Sequence, residues 1–309
     1  MKMPHRGSAL SAARALLCAA LLIGAMGLAP MLAQPTSQPF TLSDDRGTEH
    51  RFDAPPQRIV TLLPSLTESV WALGGGPRLV GVDRYSNWPA ELAALPRLGG
   101  LDDALIEAIA ALKPDVVLAS TSSRSIDRLE ALGFKVLRLK SENHADVRRT
   151  LALLATLLGT PAEGPRLWAR LAREITAAAA RVPPTLRGQR VYFEIGGGPH
   201  AAGRQSFIGE TLSAMGMANI VPAELGPFPK LNPEFVVRAQ PQIVMGVARE
   251  QAGMLARPGW ASIPALAQRR LCAFETARYE MLIRPGPRLG EAAHALADCL
   301  RALEGGARP

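Results

Sequence analysis

The sequence predicts an α/β protein of two similar lobes with parallel-rich sheets, joined by a single long α-helix, with a ligand cleft between the lobes. Apolar, strand-like runs alternate with short helical patterns, which is typical of βαβ units. This alternation occurs twice along the chain. Between the two occurrences, a helical pattern rich in Ala, Leu and Arg runs from Pro165 to about Val182, a span of roughly 27 Å at about 1.5 Å per residue.

The first 33 residues have the order of a cleavable signal peptide. Lys2, Arg6 and Arg14 precede an uncharged run at 15–29, and small residues near Ala33 suit a cleavage site. The run is shorter than the roughly 20 residues that a membrane helix needs. We therefore expect a soluble protein exported to the periplasm. A membrane-anchored sensor domain is the alternative, and it requires that the segment be retained.

The N-terminal lobe is predicted over residues 40–160. Its strands are the apolar runs RIVTLLP, RLVGV, DVVLAS and KVLRLK, and its helices are SLTESVWALGG, LIEAIAALKP and SIDRLEALG. The first helix is expected to open at Thr67 and Glu68 and to close at Gly74.

The linking helix is assigned to 161–183 and the C-terminal lobe to 184–309. Strands RVYFEIG, QIVMGV and RRLCAFE alternate with helices SFIGETLSAMG and PEFVVRAQP, and a terminal helix runs from Leu289 to Leu303. The segments LIEAIAALKPDVVLAS and PEFVVRAQPQIVMGV share one layout of Glu, short helix, proline and apolar strand. This echo predicts two lobes of one design, with a cleft at the carboxyl ends of the strands.

Composition and motifs argue against several classes of function. The net charge of +8 is spread over 309 residues without a block of like charges, so a nucleic-acid partner is not expected. The motifs HExxH, GxSxG, CxxC and GxxxxGK(S/T) are missing. The histidines lack metal-ligand spacing. We predict neither a catalytic residue nor a bound metal, with an exported α/β hydrolase as the rival class.

Loop aromatics supply the evidence for a ligand. Tyr85 follows a strand, Phe228 lies between two prolines, and Tyr279 follows another strand. Aromatic side chains at strand ends can stack on a large flat ligand, or they can form a small cluster beneath the loops. Trp88, next to a proline, is assigned to packing.

Polar candidates occur in two further segments. Arg284 and Arg288 flank the sequence PGP and either meet anionic or amide groups of a ligand or face solvent. Glu280 lies one turn upstream if the segment is helical, and would then be the partner of Arg284 and Arg288. His200 follows glycines in a predicted turn, where it either lines the cleft or is a solvated loop residue.

Two pairs of residues remain. Cys272 and Cys299 either form a disulfide in an oxidising compartment or stay as buried thiols. Glu107 and Glu234 occupy equivalent places in the two half-repeats, at helix starts. They are either favourable charges near helix amino termini or a pair of carboxylates that meet basic residues on a partner.

The segments RIVTLLPSLTESVWALG, LVGVDRYSNWP, LIEAIAALKPDVVLAS and PEFVVRAQPQIVM resemble the helical-backbone class (class III) of periplasmic binding proteins, most closely its cobalamin-binding branch. The likeness extends from about Arg58 to Leu303. It implies a non-enzymatic, monomeric solute-binding component that delivers a corrinoid to the permease and ATPase of an ABC importer. Other members bind ferric siderophores or haem, so those ligands remain alternatives.

The resemblance also implies roles for residues. It implies that Glu107 and Glu234 contact arginines of the permease. It also implies that Tyr85 and Phe228 contact the corrinoid. Late ligand contacts are implied near Glu280 and Arg284, and Arg288 and His200 are additional ligand-binding candidates. In the cobalamin-binding branch, two tryptophans form part of the ligand site. The matching positions of this sequence are Gly99 or Gly100 and Ser120, so the sequence departs from that pattern here. We therefore expect a less aromatic cleft.

Overall fold

The structure, a computed structural model, describes Met1 and residues 38–123, 125–198 and 200–304. The predicted signal segment 1–33 lies outside the described residues, apart from Met1. Within the described ranges, no helix is both long and apolar enough for a membrane crossing.

The first half begins with an antiparallel hairpin and continues as alternating strands and helices. Its strands are β1 (Phe40–Ser43), β2 (Glu49–Phe52), β3 (Ile59–Thr61), β4 (Leu79–Val82), β5 (Val116–Ser120) and β6 (Val136–Leu139). Its helices are α1 (Pro64–Val70), α2 (Ile106–Ala111), α3 (Asp127–Ala131) and α4 (His144–Leu157). Shorter helical turns are a π turn at Trp71–Gly75 and 3₁₀ turns at Gly76–Arg78 and Ala90–Ala94. Strands β3 to β6 form a parallel sheet in the order β4-β3-β5-β6.

After helix α5 (Glu163–Ala180) the pattern restarts. The strands are β7 (Arg190–Ile195), β8 (His200–Ala201), β9 (Ala218–Asn219), β10 (Ile243–Val247) and β11 (Leu271–Phe274). The helices are α6 (Phe207–Ala214), α7 (Pro233–Ala239), α8 (Gln251–Ala256), α9 (Pro264–Ala267), α10 (Thr276–Leu282) and α11 (Leu289–Glu304). The 3₁₀ turns are Pro184–Leu186, Ala223–Leu225, Ala248–Glu250 and Trp260–Ser262. Strands β9, β7, β10 and β11 are parallel, and β8 pairs antiparallel with β7.

The predicted α/β class with parallel-rich sheets is confirmed. Strands β3 and β10 are buried along their whole length. Parallel strands are buried in this way because helices cover both faces of their sheet. This explains why both strands are continuous apolar runs in the sequence.

Two predicted elements differ in their bounds. Helix α1 begins at Pro64 rather than at Thr67, because proline suits the first turn of a helix, where its missing N–H is not needed. The Thr67 hydroxyl lies in the middle of α1 and hydrogen-bonds to Thr61 and Ser86. The long helix expected from Pro165 begins at Glu163 and ends at Ala180.

Helix α5 packs against both α4 and α11, and a glycine allows each close approach. A Cβ on Gly164 of α5 would lie 2.7 Å from the Cα of Ala152 on α4. A Cβ on Gly290 of α11 would lie 2.7 Å from the Cβ of Glu174 on α5. A larger residue at either position would push the helices apart, because protein interiors are closely packed.

The two cysteines are bonded to each other. The disulfide joins Cys272 of β11 to Cys299 of α11, with the two Cα atoms 5.9 Å apart. The terminal helix is thereby attached covalently to a strand of the second sheet.

Candidate functional site

A cavity of about 370 Å³ opens at the carboxyl ends of strands from both sheets. Five of its lining residues each follow a different strand: Leu63 after β3, Tyr85 after β4, Gly196 after β7, Arg249 after β10 and Thr276 after β11. Ligands of open α/β folds bind at this end of the strands. The position of the cavity therefore agrees with the cleft predicted from the strand and helix pattern.

The Tyr85 loop, residues 83–88, forms the wall contributed by the first half. The buried Asp83 carboxylate accepts hydrogen bonds from the Tyr85 backbone N–H, at 2.8 Å, and from the Ser86 hydroxyl. Burial raises the pKa of Asp83, and the hydrogen bond from Ser86 opposes that rise. The turn is thus fixed from within, while Tyr85 projects with 60% of its surface exposed.

Gly100 lies beside the Tyr85 ring. A Cβ built on Gly100 would lie 3.3 Å from Cε2 of Tyr85, so the missing side chain lets the ring approach the main chain. The carbon at the centre of the Arg84 guanidinium lies 5.8 Å from the centre of the same ring, within the range of a cation–π contact. The neighbours of the Tyr85 ring at this position are therefore a glycine and a positive charge. This is the part of the cleft that the sequence predicts to be less aromatic.

Helix α10 and the segment after it form the opposite wall. Glu280, Ile283, Arg284 and Pro285 all line the cavity. The predicted pairing of Glu280 is confirmed for Arg284, with Nη2 of Arg284 2.9 Å from Oε2 of Glu280. It is wrong for Arg288, which pairs with Glu291 of its own helical turn at 3.3 Å. Glu280 lies in α10 and Arg284 just beyond its end, so the two side chains are one helical turn apart.

Tyr279 corrects an expectation, since it lies within α10 rather than on a loop. Its ring stacks on Phe193, with the ring centres 6.2 Å apart. Its hydroxyl accepts a hydrogen bond from the Gly196 N–H at 2.7 Å and donates to the Glu194 carbonyl at 3.2 Å. Tyr279 therefore joins α10 to the end of β7 at the floor of the cavity.

Three other ligand candidates are not among the residues described as lining this cavity. Arg288 covers the Trp88 ring, with 4.6 Å between the guanidinium carbon and the ring centre, which supports the packing role predicted for Trp88. Phe228 is half-buried against Phe207. His200 is an exposed residue of the short strand β8, directly after the predicted glycine turn.

Glu107 and Glu234 have similar environments. Each lies exposed in the first turn of a short helix, Glu107 in α2 and Glu234 in α7. Oε1 of Glu107 is 3.3 Å from Nη1 of Arg128, which is also exposed. The Glu234 backbone N–H donates to the Asn232 side chain at 2.9 Å. Both carboxylates can therefore be reached from solvent.

Sequence reasoning missed three residues of this region. Arg249 follows β10 as Tyr85 follows β4, so the strand-end rule could have identified it. Asn87 donates to Glu280 at 2.8 Å, and Glu68 accepts from Arg284 at 2.9 Å. The last two contacts join positions that are 193 and 216 residues apart in the chain, so no local pattern signals them.

The fold and the cavity define the class, which is a two-lobed α/β protein with a cavity at the carboxyl ends of strands. A family model described as periplasmic binding protein matches residues 59–275. The chain belongs to that family, which consists of solute-binding proteins and not of enzymes. The hydrolase alternative is thereby set aside.

Similar proteins are named for two different ligands. The chain is 30% identical over 267 residues to a cobalamin-binding protein of Halobacterium salinarum, covering 80% of this chain and 71% of the relative. It is 29% identical over 262 residues to a vitamin B12-binding protein of Pectobacterium carotovorum, covering 81% and 91%. A solved periplasmic heme-binding protein from Roseiflexus has a TM-score of 0.68 and 28% identity, covering 80% of this chain and 98% of that one.

Proposed function

We propose that this protein captures a cobalamin-type corrinoid in the cavity beside Tyr85 and delivers it to the permease of an ABC importer. The observation that carries the proposal is an exposed aromatic ring at the mouth of a cavity lined mainly by apolar groups. Flat ligands bind such surfaces by stacking, with a few polar groups to orient them. The similarity to relatives named for corrinoid binding supports the choice of ligand.

In this proposal the polar groups at the rim orient the ligand. The side chains of Arg249, 60% exposed, and of Glu280, about one-third exposed, offer a donor and an acceptor for corrin amide groups. The cavity volume of about 370 Å³ is at the lower end for ligand sites, which begin at about 300 Å³. A corrinoid would therefore seat one edge in the cavity and rest its remaining surface on the exposed Tyr85 rim.

The experiment is a titration of the purified protein with cyanocobalamin, haemin and a ferric siderophore, followed by tryptophan fluorescence. We expect cyanocobalamin to quench the fluorescence saturably, because Trp88 lies in the Tyr85 loop. Binding of another compound without any response to cyanocobalamin would overturn the choice of ligand.

Haem is the second candidate, and one observation favours it. Among the described residues, the Tyr85 hydroxyl has no hydrogen-bond partner, and a tyrosine oxygen can serve as an axial ligand of haem iron. The similarity to the Roseiflexus protein adds support. A shift of the haemin absorption spectrum on mixing, absent from Tyr85→Phe, is the expected sign of that ligation. Unaltered haemin absorption with the native protein would exclude this candidate.

The partner and the location complete the proposal. Lobes at 40–160 and 184–309, linked by 161–183, would bring one exposed carboxylate each, Glu107 and Glu234, to arginines of a membrane permease coupled to its ATPase. The protein would act as a monomer in the periplasm, after removal of residues 1–33. Such charged contacts contribute register and encounter rate more than affinity.

A further inference from the structure

A polar cluster joins the two halves of the protein at the cavity, which two of its members, Glu280 and Arg284, also line. Its centre is Arg284, whose side chain is 9% exposed, and its deepest member is Glu68 of α1, 1% exposed. Nη1 of Arg284 donates to Glu68 Oε1 at 2.9 Å and to Asn87 Oδ1 at 2.9 Å. Nη2 donates to the Tyr85 carbonyl at 3.1 Å and to Glu280 Oε2 at 2.9 Å.

These bonds leave the guanidinium little capacity for a ligand. Both terminal nitrogens of Arg284 are engaged by protein oxygens, and the ion pair with Glu68 compensates its charge. A buried arginine whose hydrogen bonds are satisfied gains little from an added ligand anion. Arg284 is therefore better suited to joining protein segments than to the ligand contact that the sequence predicts for it.

The cluster holds the Tyr85 loop at the end that faces the second half. The bonds of Asp83 fix the loop from within the first half. Arg284 donates a hydrogen bond to the Tyr85 carbonyl. Asn87 accepts a hydrogen bond from Arg284 and donates one to Glu280. The loop is therefore held from both sides of the cavity, and the second attachment depends on Arg284.

The positive charge of Arg284 compensates the charge of the buried Glu68 carboxylate. Burial raises the pKa of Glu68, and Arg284 opposes the rise through a hydrogen bond and its charge. Among the described residues, the second carboxylate oxygen of Glu68, Oε2, is buried without a hydrogen-bond partner. A carboxylate in such surroundings is tolerated only beside a compensating positive charge.

We propose that Arg284 is a positioning residue which, anchored by Glu68, holds the Tyr85 loop and α10 in register across the cavity and thereby slows ligand release. The link to ligand release rests on the proposed function. The positioning of the loop does not, because it is a property of the protein without ligand.

The test compares Arg284→Met with Arg257→Met. Arg257 forms a matched, largely buried pair with Glu194, at 21% and 1% exposure, but within the second half and outside the described lining of the cavity. Hydrogen–deuterium exchange of residues 84–88 is measured on the ligand-free proteins. We expect Arg284→Met to speed that exchange at least about tenfold, Arg257→Met to leave it unchanged, and Arg284→Lys to give an intermediate rate.

A double variant, Glu68→Met with Arg284→Met, separates the loss of positioning from simple unfolding. Removing both charges avoids an unpaired buried carboxylate, so the variant should fold, while its loop exchange should stay fast. Slow exchange at 84–88 in folded variants that lack Arg284 would overturn the proposal.

A second arm measures the dissociation rate of cyanocobalamin. We expect about a tenfold faster release from the double variant, matching the loosened loop. Weaker binding with unchanged loop exchange would make Arg284 a ligand contact and overturn the proposal. If the native protein does not bind cyanocobalamin, the proposed ligand fails, while the exchange arm still decides the positioning role.

Discussion

At the scale of the residue, Tyr85 decides between the two ligand classes. Its side chain is exposed at the cavity mouth, and no described residue hydrogen-bonds to its hydroxyl. Stacking requires only the ring, whereas ligation of haem iron requires the phenolic oxygen. Removal of the Tyr85 hydroxyl oxygen should therefore have different effects on the binding of the two candidate ligands.

If a corrinoid is the ligand, Tyr85→Phe should keep the Kd for cyanocobalamin within about twofold of the native value, because the ring remains. Tyr85→Ala should raise the Kd about tenfold, in line with a stacking contribution of roughly 1.4 kcal/mol. Fluorescence titration of both variants measures the difference. Equal losses in the two variants would contradict stacking.

His144 makes the stability of the protein depend on pH. Its imidazole is one-fifth exposed, with Nε2 3.0 Å from the Thr211 hydroxyl and Nδ1 3.5 Å from Glu210, and it packs edge-on to Trp168. Burial lowers the pKa of His144, although Glu210 opposes the shift. The unfolded chain then binds a proton more readily than the folded one. Stability is therefore full above about pH 7 and falls as the pH decreases through the ordinary histidine range.

We expect the free energy of unfolding to fall between about pH 7.5 and pH 5.5, and the fall to be smaller in His144→Gln. Urea titrations across that range measure it. His200→Gln, which removes an exposed imidazole outside this contact, is the matched control. An identical pH dependence in His144→Gln and in the native protein would remove His144 as the cause.

At the scale of the element, short helices carry the groups proposed to meet the permease. Glu107→Arg combined with Glu234→Arg should abolish uptake in cells while leaving the Kd for the ligand near the native value. Both residues are exposed and lie outside the described cavity lining. Transport and binding assays on the same variant separate the two effects.

The control is Glu163→Arg, which changes an exposed glutamate in the first turn of α5. It carries the same cost for a positive charge near a helix amino terminus, about 0.3 to 1 kcal/mol. Uptake should persist in this variant. Loss of ligand affinity in the double reversal would instead assign Glu107 or Glu234 to the site.

The disulfide between β11 and α11 closes a loop with a sequence separation of 27. For a loop of this size, chain entropy predicts a stabilisation of about 3 to 4 kcal/mol. Cys272→Ala combined with Cys299→Ala should therefore lower the free energy of unfolding by about that amount, measured by urea titration. A reductant should destabilise the native protein and leave the double variant unaffected; equal responses would disprove the contribution.

The sequence predicts elements well where burial imposes a pattern. Strands β3 and β10 are apolar runs because both faces are covered. Residues that line the cavity are predictable only where position along a strand decides them, as for Tyr85. The contact of Arg288 with Trp88 could not be predicted, because it joins segments from the two halves of the chain. Tyr279 is predicted on a loop because α10 is short and follows a strand closely.

At the scale of the whole molecule, two helices, α4 and α5, lie between the two parallel sheets along the chain. The buried Glu68–Arg284 pair adds a second connection. We expect the radius of gyration to change by less than about 1 Å when ligand binds, as in other preorganised complexes. Small-angle scattering with and without ligand measures it, and a change of several ångströms would indicate a hinged closure instead.

Helix α5 is held by α4 and α11, and each contact depends on a glycine, Gly164 and Gly290. The helix is therefore supported on two sides, and bending it requires that both α4 and α11 slide along it. Rotation about its own axis is opposed as well, because it would turn Gly164 away from α4 and bring larger side chains against that helix. The helix should therefore resist both bending and rotation, so that a ligand would enter and leave a cleft whose two walls keep nearly the same separation.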